Sequence, residues 1–481
     1  MRTEKIGNRR QLMVDRYLID SLDGKAALKL HNPVRREIVL ETDLPWEGNM
    51  CGFITVFEDE GLFRMYYKGW KIHIHDGERE HENNLTTCYA ESADGIRWEK
   101  PELGVVEFDG NKKNNIVWQS GYKETLIPFK DDNPGADAAT RYKAFGRRNV
   151  TPNRRQLFAF GSPDGIHWDL LQEDPIITEG VTDAAFDSPN LAFWDSVGGI
   201  YRAYFRDWDD GRRDIKTATS EDFVNWSDPE WLQYPDAPAE QLYTSQVQPY
   251  PRAPHILLGF PTRYVERPWS RAIEALPEPE HRRHRSGVNE RFGTALTDGL
   301  FMSSRDGVTF RRWGEAFIRP GPQLEGNWAY GDNYQCKGML ETGSSFPGAP
   351  SELSFYAPEG YWRGESTWFR RYTLRMDGFV SVNASLSGGE ILTRPLEAMG
   401  DRLTLNFSTS AAGSIRVELQ DKAGDPIENY TLEDCDEVIG DEINRSVTWN
   451  GNSSIDHLTG SPLRLRIVLS DADLYALQFQ K

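Results

Sequence analysis

SADGIRW, residues 92–98, returns as SPDGIHW at 162–168, SEDFVNW at 220–226 and SRDGVTF at 304–310. A looser fifth copy, RMDGFVS at 375–381, lacks both the Ser and the late aromatic. The starts lie 70, 58, 84 and 71 residues apart, the length of one four-stranded sheet plus a loop. Each clear copy follows a strand-like run (TTCYAE, QLFAFG, IKTATS, LFMSS) and precedes another, so the Asp-Gly pair falls where a tight hairpin turn is needed. Gly accepts the positive φ, and Asp bonds to nearby backbone N–H groups. The aromatic three residues later lands on the returning strand, where a large ring fills the gap between sheets. The motif is therefore scaffold.

Upstream of each copy runs an aromatic-rich alternation: FRMYYKGW, RYKAFGRR, YRAYFRDW, HILLGFPTRY and LSFYAPEGYW. Period-two alternation rich in Tyr and Phe reads as strand, and helical periodicity is nearly absent. Five such runs make five blades of an all-β fold, a five-bladed β-propeller, because radial repetition disposes of most exposed strand edges. LMVDRYLID, residues 12–20, is the candidate strand that closes the ring. From about residue 380 the texture changes to shorter alternating runs without the motif (RLTLNFS, SIRVELQ, LRLRIVL, LYALQFQ), which read as a C-terminal β-sandwich. The expected division is a propeller over 1–380 and a sandwich over 381–481.

At 481 residues with 12% aromatic and 27% charged side chains, the chain carries enough apolar material for two packed bodies. A formal charge of −19 argues against a nucleic-acid partner, whose phosphates require clustered Lys and Arg. No apolar run reaches the length of a membrane span, and MRTEKIGNRRQLMV lacks the apolar stretch of a signal peptide, so a cytoplasmic location is expected for the chain as given, unless a leader has been removed. Cys51, Cys88, Cys336 and Cys435 are scattered without CxxC spacing, which reads as four buried thiols and neither a disulfide frame nor a zinc site.

A five-bladed propeller followed by a sandwich, with SEDFVNW-type turns, resembles the furanosidase superfamily: the glycoside hydrolases that include invertases and fructanases, and the related arabinanases and xylosidases. The resemblance implies three carboxylates converging at the mouth of the central channel, serving as nucleophile or base, transition-state stabiliser and general acid. A glycosidic bond needs a protonated acid on one side and an ionised partner on the other. LPWEGNMCGFITVF resembles the family's opening segment and makes Glu47 the candidate nucleophile or base, although Gly follows Glu where the family has Asp followed by Pro. AFDSPNLAFW resembles its Arg-Asp-Pro segment and makes Asp187 the stabiliser, with Asp183 the competing choice. PAEQLYTSQ carries Glu240, 53 residues on, as the acid, with Gln241 where the family has Cys; desolvation at an aromatic mouth would raise its pKa. Each also has a plain reading as a loop or turn acid. Trp46, Asn49, Tyr243, Trp328 and Tyr330 are candidate sugar contacts, and Asp332 is a reserve acid or hydroxyl binder.

His73, His75, Asp76 and His81 in KIHIHDGEREH have a metal-like spacing but sit in a polar insertion, so no metal or other cofactor is expected. The basic island HRRHRSGVNER, 281–291, could hold an anionic group, form an interface between subunits of a homo-oligomer, or cover the site as a lid. The functional expectation is an exo-acting glycoside hydrolase on a furanoside or small glycan. A transferase, phosphorylase or lyase on the same scaffold, or a non-catalytic carbohydrate-binding propeller, remains as the alternative.

Overall fold

The computed structural model describes residues 3–119, 125–151, 154–178 and 185–481. Five separate sheets follow one another along the chain, each with four strands in sequence order, apart from the last strand of the fifth. Their innermost strands are Gly52–Asp59, Ile127–Lys130, Leu191–Asp195, Gln248–Tyr250 and Leu340–Thr342. The second strands are the five aromatic runs. In the fifth sheet the outermost position is taken by Val34–Glu41, paired antiparallel with Trp368–Arg375, so a segment from the start of the chain completes the last blade.

That strand is not the expected one. Residues of LMVDRYLID pair instead with the C-terminal body: Gln11–Leu12 lies against Ala476 and Leu477, and Ile19–Gly24 against Gly389–Thr393. Burial explains the choice. Leu12, Met13, Val14, Leu18 and Ile19 are all buried and belong in a core, whereas VRREIVLE is mostly exposed or half-buried, as suits an outer strand. Strands from residues 4–30 thus join a ten-stranded sheet built on two long strands, Arg402–Asp421 and Pro462–Gln480. A cut at residue 380 therefore separates strands that the pairing joins. The looser fifth copy is the exit from the propeller into this body, with Asp377 rather than Gly378 in the left-handed conformation.

The four clear copies share the same Ser and Asp hydrogen bonds, and the first three add a Trp. In the second, the Ser162 hydroxyl accepts from Gly165 N at 2.8 Å, and Asp164 Oδ1 accepts from Ile166 N and His167 N at 2.8 Å each. Trp168 Nε1 closes the turn by donating to Gly165 O at 3.0 Å. The tryptophan is thus a cap on its own turn as well as an apolar filler. The turn residue has φ of 71°, 80° and 85° at Gly95, Gly165 and Gly307, and in the third copy Phe223 adopts 70° in the glycine's place. Replacing Asp164 by Ala removes the acceptor of two backbone N–H groups and should lower stability by about 1 kcal/mol, read as a shifted denaturation midpoint. Its carboxyl is held down to about 2 by the hydrogen bonds it accepts, so this contribution is present above the unfolded value and fades as pH falls toward 2.

Each turn is gripped by the preceding sheet. Tyr66 OH donates to Gly165 O at 3.0 Å, Tyr204 OH to Gly307 O at 2.8 Å, and Tyr356 OH of the fifth sheet to Gly95 O of the first at 2.5 Å. Phe145 of the second sheet stacks on Phe223 of the third at 5.3 Å, and Tyr250 of the fourth bonds Asp377 at the end of the fifth. The contacts run from the first sheet round to the fifth and back to the first. Near the axis, buried Lys337 donates to Ala192 O of the third sheet at 2.8 Å.

All four cysteines are buried and unpaired. Among the described residues no helix is long and apolar enough to cross a membrane.

Candidate functional site

A cavity of about 370 Å³ opens where the innermost strands begin. Its wall is assembled from segments just ahead of those strands (Met50, Phe186 to Asn190, Tyr243, Tyr330) and from the far ends of the second strands (Lys68, Arg147, Tyr361). The strand pattern places these cations. Tyr66, Phe145 and Tyr204 are the rings that grip the next turn, and two residues further along each strand stand Lys68, Arg147 and Arg206. With a period of two, ring and cation share a face of the sheet, so three successive blades send a positive group toward the same mouth.

Asp187 is met by three arginines. Arg147 Nη1 lies 2.7 Å from Oδ1, Arg155 Nη1 3.3 Å from Oδ1, and Arg206 Nη2 3.4 Å from Oδ2. Burial alone would raise its pKa, but the charges of Arg206, Arg147 and Arg155 together hold it below the usual carboxylate range. Asp187 is therefore a carboxylate at any working pH, suited to act as base or charge stabiliser and not as proton donor. Its side chain is 42% exposed to the cavity.

Lys68 is the complementary group. Its ammonium is buried, donates to Tyr361 OH at 3.1 Å and faces the ring of Phe53 at 4.4 Å. Desolvation pushes it down to about 8, partly offset by the charge of Asp187. A proton donor with a pKa near ambient pH is what leaving-group protonation requires. Strained backbone surrounds the pair: Phe53, Phe186 and Trp362, all on the wall, have φ of 52°, 61° and 59°. Such conformations in bulky residues cost roughly 1–3 kcal/mol each and cluster at functional sites.

The expected catalytic trio is not brought together. Asp187 reaches the cavity, but Glu47 is fully buried away from it: its carboxylate accepts from Tyr67 OH, from Lys100 Nζ at 2.8 Å and from Leu44 N at 3.1 Å. Burial raises its pKa against the pull of Lys100, and its role is to tie the approach to the first inner strand. Glu240 lies in a different, smaller cavity with Asp214 and Tyr234, held by Arg263 at 2.9 Å and by Arg312. Burial acts to raise its pKa, but these two arginines lower it overall, opposite to the rise expected of an acid catalyst.

The sugar-contact candidates divide similarly. Tyr243 and Tyr330 line the cavity, their hydroxyls 3.0 Å apart. Trp46 is occupied by Asn115 Oδ1 at 2.6 Å, Asn49 by the backbone of Ile72 and Gly364, and Trp328 by Gly321 O at 2.9 Å. None of these three lines the cavity. Asp332 sits beneath it, accepting from Tyr361 N and Ala329 N at 3.0 and 3.1 Å. Desolvation raises its carboxyl to about 8, so it shapes the wall as a neutral group. Asp183 lies outside the described residues.

The basic island lies between Thr262–Val265 and Leu296–Gly299, which pair in a small three-stranded sheet of their own, and is folded as short helices that include Pro279–Ser286. Arg282 and Arg285, three apart on its buried face, donate to the carbonyls of Trp328 and Gly293, and of Tyr361 and Tyr330. They clamp the insertion onto the mouth, where Arg291 and Phe292 enter the wall. Gly293 permits this because a Cβ there would lie 2.1 Å from Arg282 O. The histidine segment forms a hairpin, Ile72–His75 with Glu78–His81, and His81 stacks on Trp70 at 5.1 Å beside the cavity. Among the described residues no group of three or more ligating side chains is placed to hold a metal ion.

No family model and no curated relative matches the chain. Solved structures similar to it include a GH32 β-fructofuranosidase of Bombyx mori, at 9% identity and TM-score 0.42 over 94% of both chains. An N-acetylgalactosamine deacetylase from F. plautii, in complex with blood group B trisaccharide, is similar at 11% identity and TM-score 0.43, over 72% of this chain and 96% of that one. A member of the GH130 family of mannoside phosphorylases and glycoside hydrolases is similar at 14% identity and TM-score 0.37, over 72% and 94%.

Proposed function

We propose that the protein is a carbohydrate-active enzyme that cleaves the terminal glycosidic bond of a small glycan, of furanoside type or a related ring, in the cavity around Asp187. The observation that carries this reading is the pairing, on one aromatic wall, of an ionised carboxylate with an ammonium of pKa about 8. In hydrolysis the C1–O bond breaks, Asp187 takes a proton from the attacking water, and Lys68 gives one to the leaving oxygen. Tyr243, Tyr330 and Tyr361 supply apolar faces for the ring. A cavity of about 370 Å³ is at the small end of ligand sites, in keeping with removal of one unit at a time.

The test is turnover of aryl furanosides and pyranosides across pH. Activity should be constant below about 8 and fall as pH rises through that value, because Lys68 loses the proton it must donate. Lys68→Met should remove this limb along with most of the rate. A profile unchanged by Lys68→Met, or no turnover of any glycoside, would refute the assignment.

A further inference from the structure

The described wall of the cavity carries five cationic side chains, Lys68, Arg79, Arg147, Arg155 and Arg291, against a single carboxylate, Asp187, in a chain whose formal charge is −19. Two blades and the inserted helices each contribute, so the charge is assembled by the fold and not by a local basic run. Like charges held together in a partly desolvated pocket repel, and the cost is recovered only when an anion enters. Two further features lie beside it. The Ser188 hydroxyl, on a wall residue 7% exposed, has no hydrogen-bond partner among the described residues, and neither do Nε and Nη1 of Arg206, which is 2% exposed. Asp187 satisfies one edge of this set and leaves donors over.

We propose that the cavity contains an oxyanion subsite, formed by Arg147, Arg155, Arg291 and the Ser188 hydroxyl, that binds a phosphate, sulfate or carboxylate group next to Asp187. Planar guanidinium groups suit such oxygens because they can donate two parallel hydrogen bonds. The proposal rests on the glycan-cleaving assignment for its substrate, since the anion comes from one of two sources. It is either a group carried by the sugar, as in a uronate or sulfate ester, or free inorganic phosphate acting as co-substrate. In the second case the C1–O bond breaks, a phosphate oxygen bonds to C1, and the leaving oxygen takes the Lys68 proton.

The experiment is calorimetric titration of the full chain with inorganic phosphate, sulfate and glucuronate, and with glucose as the neutral control. Saturable binding of at least one anion is expected, weakened by added salt and weakened about tenfold or more by Arg155→Gln and by Arg291→Gln. Asp187→Asn should tighten it, because the competing carboxylate is gone. Two separate single variants, each checked for an unchanged melting temperature, guard against a folding defect. Turnover then separates the sources: cleavage of neutral glycosides that requires phosphate and yields a sugar phosphate identifies the free anion, and cleavage of a uronide or sulfated glycoside without phosphate identifies the substrate-borne one. Anion binding without any turnover keeps the subsite and removes the glycosidase assignment. Anion binding that is absent, or indifferent to both arginine substitutions, overturns the subsite.

Discussion

Asp187→Asn lowers turnover by about a thousandfold, within the range set by loss of a positioned acid–base group, while the glycan still binds. The amide preserves shape but cannot take a proton, and it no longer neutralises Arg147, Arg155 and Arg206. The contrast with two other acids makes the result specific. Glu47→Gln and Glu240→Gln leave the rate within a few-fold, since one carboxylate is sealed against Tyr67 and Lys100 and the other is held by Arg263 and Arg312 away from the cavity. Steady-state kinetics on the best substrate of the screen decides it: a rate for Asp187→Asn within tenfold of the parent, or a collapse of the other two with their folds intact, reverses the assignment.

The largest loss of stability is expected from Asp377→Ala. This carboxylate is fully buried where the propeller meets the sandwich. It accepts from Arg10 Nη1 at 3.1 Å, Tyr250 OH at 2.6 Å and Asn406 Nδ2 at 2.9 Å, with Arg252 at 3.5 Å. Removing it strands the guanidinium of Arg10 and the Tyr250 hydroxyl in the interior, a change that costs about 3–5 kcal/mol. Denaturant unfolding should show a lower midpoint, with both bodies affected because Arg10 and Asn406 belong to one and Tyr250 to the other. An unfolding curve that overlays the parent would show that the network contributes nothing.

The fold was legible because its signals are local and repeated. Ser-x-Asp-Gly and its late aromatic specify a turn whose hydrogen bonds all fall within seven residues, and alternation of Tyr and Phe specifies strands. The closing strand was not legible, since LMVDRYLID and VRREIVLE both alternate and only the competing cores decide which is buried. Of the acids, Asp187, named from its place four residues ahead of an inner strand, is the one that lines the cavity. Its partners Lys68, Arg147 and Arg206 were present in the same aromatic runs that revealed the blades, and the repeated spacing of two from ring to cation was the signal that would have found them.

The sequence by itself determined the repeat, the number of blades and the strand character of the second body, because turn chemistry and period-two patterning act over a few residues. Only the tertiary structure decided which charges share a cavity. Glu47, Asp187 and Glu240 all precede inner strands and look alike in one dimension. Their neighbours in space (Lys100 for the first, three arginines for the second, Arg263 and Arg312 for the third) come from distant segments, and electrostatic role depends on those neighbours and on burial.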